Sequence, residues 1–376
     1  MSKIDALQAV LHYIKNQFVG KDTIVDLLGI ALVARENAFL LGPPGTAKSA
    51  LVRELSHCIK DGNNFEYLLT RFTEPNELFG PFDIRKLQEG ELVTNTTGML
   101  PEASLVFLDE IFNANSAILN SLLTALNERI FRRGKERRAL PALLFVGASN
   151  QLPEEQSLAA LLDRFLLRIP CNYVAPDQLG AVLQAGWKLA VEEATQRPSI
   201  TADTILALQQ QAQQIDLAAI QAPFIDLVHR LRNAGLALSD RRAVKLQSLF
   251  AASALLSGRQ QAEISDFWVI KYIWDTEEQI DILAGIIDTL LQEHSSTQAH
   301  PQAYVNNLPN AEQLLQELMQ LSERLDAEGC SYEEKNLIKD QLRHLQNRSH
   351  WIQEEQAQKH LQAQIEKLWQ QLLETA

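Results

Sequence analysis

Phe39-Leu40-Leu41-Gly42-Pro43-Pro44-Gly45-Thr46-Ala47-Lys48-Ser49 is the stretch whose reading decides the fold. A short apolar run ending in Leu41 reads as a buried strand, and the residues after Ser49 read as a helix. Between them lie a glycine loop, a lysine and a hydroxyl. In a phosphate cradle the backbone N–H groups of Gly42, Gly45, Thr46 and Ala47 face phosphate oxygens, Lys48 adds a positive charge, and Ser49 ligates Mg²⁺. The usual pattern has a glycine before the lysine, where this chain has Ala47. Alanine keeps the N–H but disfavours positive φ, so this residue is expected to be helical already. Taken alone, the motif also fits an ordinary strand–turn–helix corner.

Working outward, a second chemical motif is Ser104-Leu105-Val106-Phe107-Leu108-Asp109-Glu110, whose Asp109 stands 61 residues after Lys48. A buried strand here delivers two adjacent carboxylates at its C-terminal end, where open α/β sheets bind ligands. Successive strand residues point oppositely, so the two acids can serve different purposes. Asp109 would complete a Mg²⁺ shell and Glu110 would polarise a water against a terminal phosphate. A strand ending in a solvated turn gives the same local pattern. The strand Leu143–Ala148 ends in Ser149-Asn150, and Asn150 could hydrogen-bond that water or the terminal phosphate beside Glu110. Leu161-Leu162-Asp163-Arg164-Phe165 then leads to a last strand at 166–169. Arg164 reads either as a surface ion-pair partner or, in an oligomer, as a cation facing a neighbour's phosphates.

Before the first strand, residues 1–37 carry helical apolar spacing, broken at Phe18-Val19-Gly20-Lys21. This break reads as a loop packed on the core or as a lip over a nucleotide base, with Phe18 and Val19 as its wall. Residues 65–69 read as a strand, and 80–100, with Gly80, Gly90 and Gly98, as a hairpin-like insert or a long loop. Ser116 to Glu128 reads as an amphipathic helix. The cluster Ile130-Phe131-Arg132-Arg133-Gly134-Lys135-Glu136-Arg137-Arg138 reads as a basic hairpin, either solvated or facing an acidic partner, nucleic acid or a ring axis. From Pro176 the pattern is helical throughout, and Ser239 N-caps a helix opening with Asp240-Arg241-Arg242. Residues 295–310 read as a linker. Beyond them, Leu314, Leu318, Leu321 and Leu325, and later Leu361, Ile365, Leu368 and Leu372, predict a helical hairpin. Gly329 is its expected helix end, and Ser331 with Glu334 a capping box.

The 376 residues allow two to three domains at ~150 residues each. A net charge of −13 argues against a whole-surface nucleic-acid footprint. Cys58, Cys171 and Cys330 lack C-x-x-C spacing, and the eight histidines lack an H-E-x-x-H grouping. No apolar run approaches the ~18 residues of a membrane span, and a cytoplasmic setting is expected.

The phosphate loop, Asp109-Glu110, Asn150, Arg164 and Arg241 stand in the order of an AAA+ ATPase, and the chain resembles that class. There they are the Walker A, Walker B, sensor 1, arginine-finger and sensor 2 elements, Arg242 being the alternative to Arg241. Gly42–Ser49, Thr70–Pro81 and Val106–Ile111 resemble the MoxR family. Leu122–Arg129 and Ser239–Arg242 look most like its RavA branch. The resemblance covers residues 1–295. It implies an α/β P-loop core at 1–175 and a helical lid at 176–294, to which the leucine spacing, not the resemblance, adds the hairpin at 311–376 after the linker. It also implies ATP and Mg²⁺, a hexameric ring, chaperone-like remodelling, and a partner carrying a von Willebrand factor A domain. The discrete β domain of RavA-type proteins has no counterpart here, which places any partner docking on it in doubt.

Two rivals remain at this stage. A nucleic-acid motor is supported by the basic hairpin and opposed by the acidic balance. A non-hydrolysing scaffold is opposed by the acid–amide–arginine set, since binding alone needs neither Glu110 nor Arg164.

Overall fold

A computed structural model describes residues 2–134, 136–153, 155–174, 178–191, 197–294, 296, 298–304, 311–326, 338–339, 342, 345–346, 349 and 355–374. The chain divides into two compact units, Met1–Ile273 with Ser295–Ala303, and Trp274–His294 with Tyr304–Ala376.

The first unit is built on five parallel strands. In chain order they are β1 (Ala38–Leu41), β2 (Asn64–Leu68), β3 (Leu105–Asp109), β6 (Leu144–Ser149) and β7 (Leu167–Pro170), laid side by side as β2-β3-β6-β1-β7. β4 (Ile130–Arg133) and β5 (Glu136–Ala139) form a separate antiparallel hairpin. β1 and β6 are buried along their whole length, as expected for strands covered on both faces. β1 registers Ala38 beside Val146 and Leu167, so the N-terminal ends of three strands share one edge. The opposite edge collects the loops that leave β1, β3 and β6.

Helices α1 (Lys3–Gln17), α2 (Asp22–Ala34), α3 (Lys48–His57) and α4 (Ser116–Glu128) accompany the sheet. Asn115 caps α4 through its side-chain oxygen, which accepts from Ala117 and Ile118 N–H. Residues 80–100 form a hairpin-like insert held by an antiparallel bridge between Phe82 and Thr94, with a short helix Ile84–Gln88 inside it. The helical stretch after Pro176 contains α5 (Leu179–Val191), α6 (Ala202–Ala212), α7 (Gln221–Asn233) and α8 (Asp240–Leu256). One departure from all-helix is the two-residue strand Ile200–Thr201, which pairs in parallel with Ile59–Lys60. Two residues carry no readable periodicity, so sequence spacing could not reveal it.

Within the stretch read as a linker, His300 stacks on Trp268 at 4.9 Å, and Gln302 donates to Asp26 and accepts from Thr23. Both are buried in the first unit. Close by, Asp266 is fully buried and receives two hydrogen bonds from Arg259, at 2.6 and 2.9 Å, and one from Ser253.

The second unit contains α9 (Glu278–Glu293), α10 (Ala311–Asp326) and α11 (Glu355–Glu374). Leu314, Leu318, Leu321 and Leu325 of α10 meet Leu361, Ile365, Leu368 and Leu372 of α11 in one core, as the leucine spacing predicts. Ile338, Leu342 and Leu345, which the spacing argument did not use, also enter it. Gly329, Ser331 and Glu334 lie outside the described residues. No helix among the described residues is long and apolar enough to cross a membrane.

Ala47 overturns one expectation. It is not helical but left-handed, with φ 67° and ψ 19°, immediately before α3. The chain thus retains a conformation suited to glycine while carrying a Cβ, at a cost of about 1–2 kcal/mol. Ala47→Gly is therefore expected to stabilise the protein by about 1 kcal/mol, read as a rise in Tm, without weakening nucleotide binding. Asp266→Ala removes the buried anion from Arg259, leaving Glu263 at 3.8 Å, and should cost about 3 kcal/mol, measured by denaturant unfolding.

Candidate active site

The loop after β1 needs its glycines for different reasons. A Cβ on Gly42 would lie 2.1 Å from the carbonyl oxygen of Cys171, so the close approach of β1 to the end of β7 excludes any side chain. Gly45 has open space around it but a φ of +82°. Thr46 is buried and its hydroxyl donates to the Pro43 carbonyl at 2.9 Å.

Lys48, at the start of α3, turns back across this loop. Its ammonium donates to the carbonyls of Gly42 (2.5 Å) and Pro43 (3.0 Å) and to Oδ1 of Asn150 (3.0 Å). Asn150 in turn donates from Nδ2 to Oε1 of Glu110 at 2.5 Å. The Ser49 hydroxyl donates to Oδ2 of Asp109 at 2.9 Å. Five residues drawn from the ends of three strands are thus joined in one constellation. Glu110 itself is left-handed, with φ 50°, and its N–H donates to Oδ1 of Asp109. Partial burial first, and then the neighbouring Asp109 charge, push the Glu110 carboxyl above its ordinary value, with Lys48 opposing. Raised basicity suits a group that must draw on a water proton.

The donor set fits phosphate and Mg²⁺. Lys48 is a buried cation, and among the described residues its hydrogen-bond partners are all neutral oxygens, so its charge is left for an anion. A hydroxyl and a carboxylate in contact beside it are the hard oxygens that Mg²⁺ prefers.

The turn containing Phe18 and Val19 stands next to this loop by way of the segment after β7. Lys21 donates to the Asn172 carbonyl at 2.5 Å, Val174 and Gln178 lie over Gly20, and the Tyr173 hydroxyl donates to the Pro44 carbonyl at 3.2 Å. Phe18 and Val19 are half-buried there. Tyr173, two-thirds exposed, stands beside this loop and was not among the site residues singled out in the sequence. No local signal marks it, because its placement depends on where β7 ends.

The remaining arginines gather elsewhere. The carbonyl of Arg164 accepts from Asn37 Nδ2 at 2.8 Å, and its guanidinium pairs with Asp163 at 2.7 Å. Asn37 directly precedes β1, so Arg164 sits at the strand end remote from the phosphate loop. At about 3.3 Å per residue, that separates it from Gly42 by roughly 16 Å. Arg241 joins the same end, donating to Oδ1 of Asn127 at the close of α4. Arg242, the alternative to it, is buried and donates to the Ile273 carbonyl, which Arg168 of β7 also reaches. It braces the lid helix to the sheet.

The basic hairpin is largely engaged within the chain. Arg133 lies over the Phe82 ring at 3.9 Å and donates to Gly80 and Asn76, and Arg138 donates to Thr96 and pairs with Glu102. Arg132 pairs with Glu128. The Arg133 and Arg138 contacts tie the hairpin to the insert at 80–100, while Arg132 ties it to the end of α4.

Residues 5–210 match the family described as the MoxR domain in the MoxR-vWA-beta-propeller ternary systems, and residues 219–287 match an AAA lid domain. An uncharacterized protein of Methanocaldococcus jannaschii is 33% identical over 307 residues, which is 81% of this chain and 79% of that one. A structural protein of the Acidianus two-tailed virus is 35% identical over 165 residues, 42% of this chain and 26% of the viral one. Among solved structures, a candidate ATPase from Cytophaga hutchinsonii shares the fold with a TM-score of 0.63 at 18% identity, covering 78% of this chain and 95% of its own. The description of the matched family names the propeller systems and does not name the RavA branch. A phosphate loop, paired acids and an amide on one edge of a parallel sheet, followed by a matching lid, place this chain in the MoxR family of AAA+ ATPases.

Proposed function

We propose that the chain hydrolyses ATP as one subunit of a ring and uses the cycle to remodel a partner protein. The observation that carries this reading is the division of the catalytic set between two ends of one sheet. Lys48, Ser49, Asp109, Glu110 and Asn150 form a linked constellation at the C-terminal ends of the strands. Arg164 and Arg241 stand at the N-terminal ends, held by Asn37 and Asn127. An arginine side chain falls well short of the ~16 Å between the two ends. The arginines therefore serve the phosphates of a neighbouring copy.

In this reading Lys48 and the loop N–H groups bind the β- and γ-phosphates, and Phe18, Val19 and Tyr173 wall the base. Ser49 and Asp109 would hold Mg²⁺, which supplies charge neutralisation at the phosphates. Glu110 polarises the attacking water and Asn150 orients it, the two acting as a hydrogen-bonded pair. Arg164 of one subunit stabilises charge developing in the next subunit's site, and Arg241 accompanies it. The ring is hexameric, by the resemblance stated above, and the partner carries a von Willebrand factor A domain, a reading supported by the description of the matched family. The nucleic-acid alternative loses ground because Arg132, Arg133 and Arg138 are engaged within the chain.

Lys48→Ala should weaken nucleotide binding roughly 10- to 100-fold, measured by calorimetric titration. Glu110→Gln should keep that affinity and lower turnover by about 10²–10⁴-fold, while normal turnover would remove Glu110 from the chemistry. Specific activity should rise with protein concentration as large assemblies form in light scattering. Arg164→Ala should bind ATP normally and lose about 10³-fold in rate, recovered on mixing with Glu110→Gln. A concentration-independent, fully active monomer would retain the phosphate site and eliminate the ring.

A further inference from the structure

At the arginine end of the sheet, one buried amide touches both the turn that carries Arg164 and the end of α4 whose Asn127 holds Arg241. Asn37 is 2% exposed. Its Nδ2 donates to the Arg164 carbonyl at 2.8 Å and to the Leu126 carbonyl at 3.3 Å. Leu126 directly precedes Asn127, the partner of Arg241. The Asn37 oxygen accepts from Arg129 Nη2 at 3.0 Å. Both amide donors and the acceptor are thereby used, which fixes the side chain in one orientation.

Arg129 continues the brace. It donates to the carbonyls of Arg35 (3.1 Å) and Ala142 (2.9 Å), and its guanidinium lies 4.8 Å from the centre of the Phe145 ring. It also closes α4 in a left-handed conformation, φ 52°. The turn before β1, the end of α4, the entry to β6 and the turn before β7 are thus pinned to one pair of side chains. Burial, with Arg35 nearby, brings the Arg129 guanidinium down to about 10, a cost that its planar set of carbonyl contacts must offset.

We propose that Asn37, locked by Arg129, is a positioning residue for hydrolysis, setting the backbone that carries Arg164, and the α4 end whose Asn127 holds Arg241, for reach to the neighbour's phosphates. It touches no nucleotide. The inference rests on the reading that these arginines act across subunits. Its geometric basis is that Asn37 holds Arg164 by the main chain, so a shift of the amide moves the whole residue. Displacements of about 1 Å at a catalytic group lower rates by up to 10²-fold.

Asn37→Asp tests this. The aspartate still accepts from Arg129 but donates to neither carbonyl. Thermal unfolding and ATP affinity are measured first, and affinity should stay within about twofold of the parent because the phosphate loop lies at the other end of β1. Steady-state hydrolysis should fall on the order of 10- to 100-fold. Mixing Asn37→Asp with Glu110→Gln subunits should restore activity, since the former supplies an intact phosphate site and the latter intact arginines. Arg129→Lys, which keeps the charge and loses the fork, should reproduce the pattern and serves where Asn37→Asp does not fold. Wild-type turnover by these variants, in assemblies that Arg164→Ala inactivates, would overturn the proposal and leave trans action standing. Loss of nucleotide affinity together with rate, without recovery on mixing, would make the amide merely structural. Full activity of Arg164→Ala itself would instead remove the trans reading beneath it.

Discussion

Strand direction is the constraint from which the rest follows. With β2, β3, β6, β1 and β7 all running the same way, the loops that leave the strands share one edge and those that enter share the other. Carboxylates, amide and phosphate loop are all exit features. Arg164 and Asn37 are both entry features, one before β7 and one before β1. A parallel sheet therefore sorts the two halves of the proposed phosphoryl-transfer site by polarity alone, before any side chain is placed.

Most exit features were legible in the sequence because each is local. A strand that ends in Gly42–Ser49 must turn there, and a strand that ends in Asp109-Glu110 must present carboxylates there. Asn150 is legible for the same reason. The features that resisted reading depend on another segment's position. Adjacent arginines at 241 and 242 look alike in sequence, yet one helical step of about 100° sends the first to Asn127 and the second to the Ile273 carbonyl. The basic hairpin looks free until the insert at 80–100 is folded against it. Asn37 gave no signal, because an asparagine ahead of a strand is ordinary turn chemistry.

Backbone strain marks the same places. Of the five left-handed non-glycine residues among those described, Arg35 and Asp61 lie in turns, and the other three are Ala47, Glu110 and Arg129. They stand at the phosphate loop, at the proposed water-activating acid and at the brace beneath the arginines. Such conformations cost about 1–3 kcal/mol each and persist where surrounding contacts hold them. Each has such contacts nearby: Lys48 across the loop, Asp109 to the Glu110 N–H, and the carbonyl set around Arg129. Sequence reasoning expected Ala47 to avoid this state, since propensity favours that. The loop's geometry prevailed.

The separation of donor and acceptor ends across β1 also sets an arithmetic of assembly. If arginines always serve the next copy, an open file of subunits has one fewer complete site than it has members. Its last phosphate site faces solvent. Closing the file into a ring completes that site without adding any protein, so closure is itself an activating event. Anything that holds such a ring ajar at a single seam would silence only the site at that seam and leave the others turning.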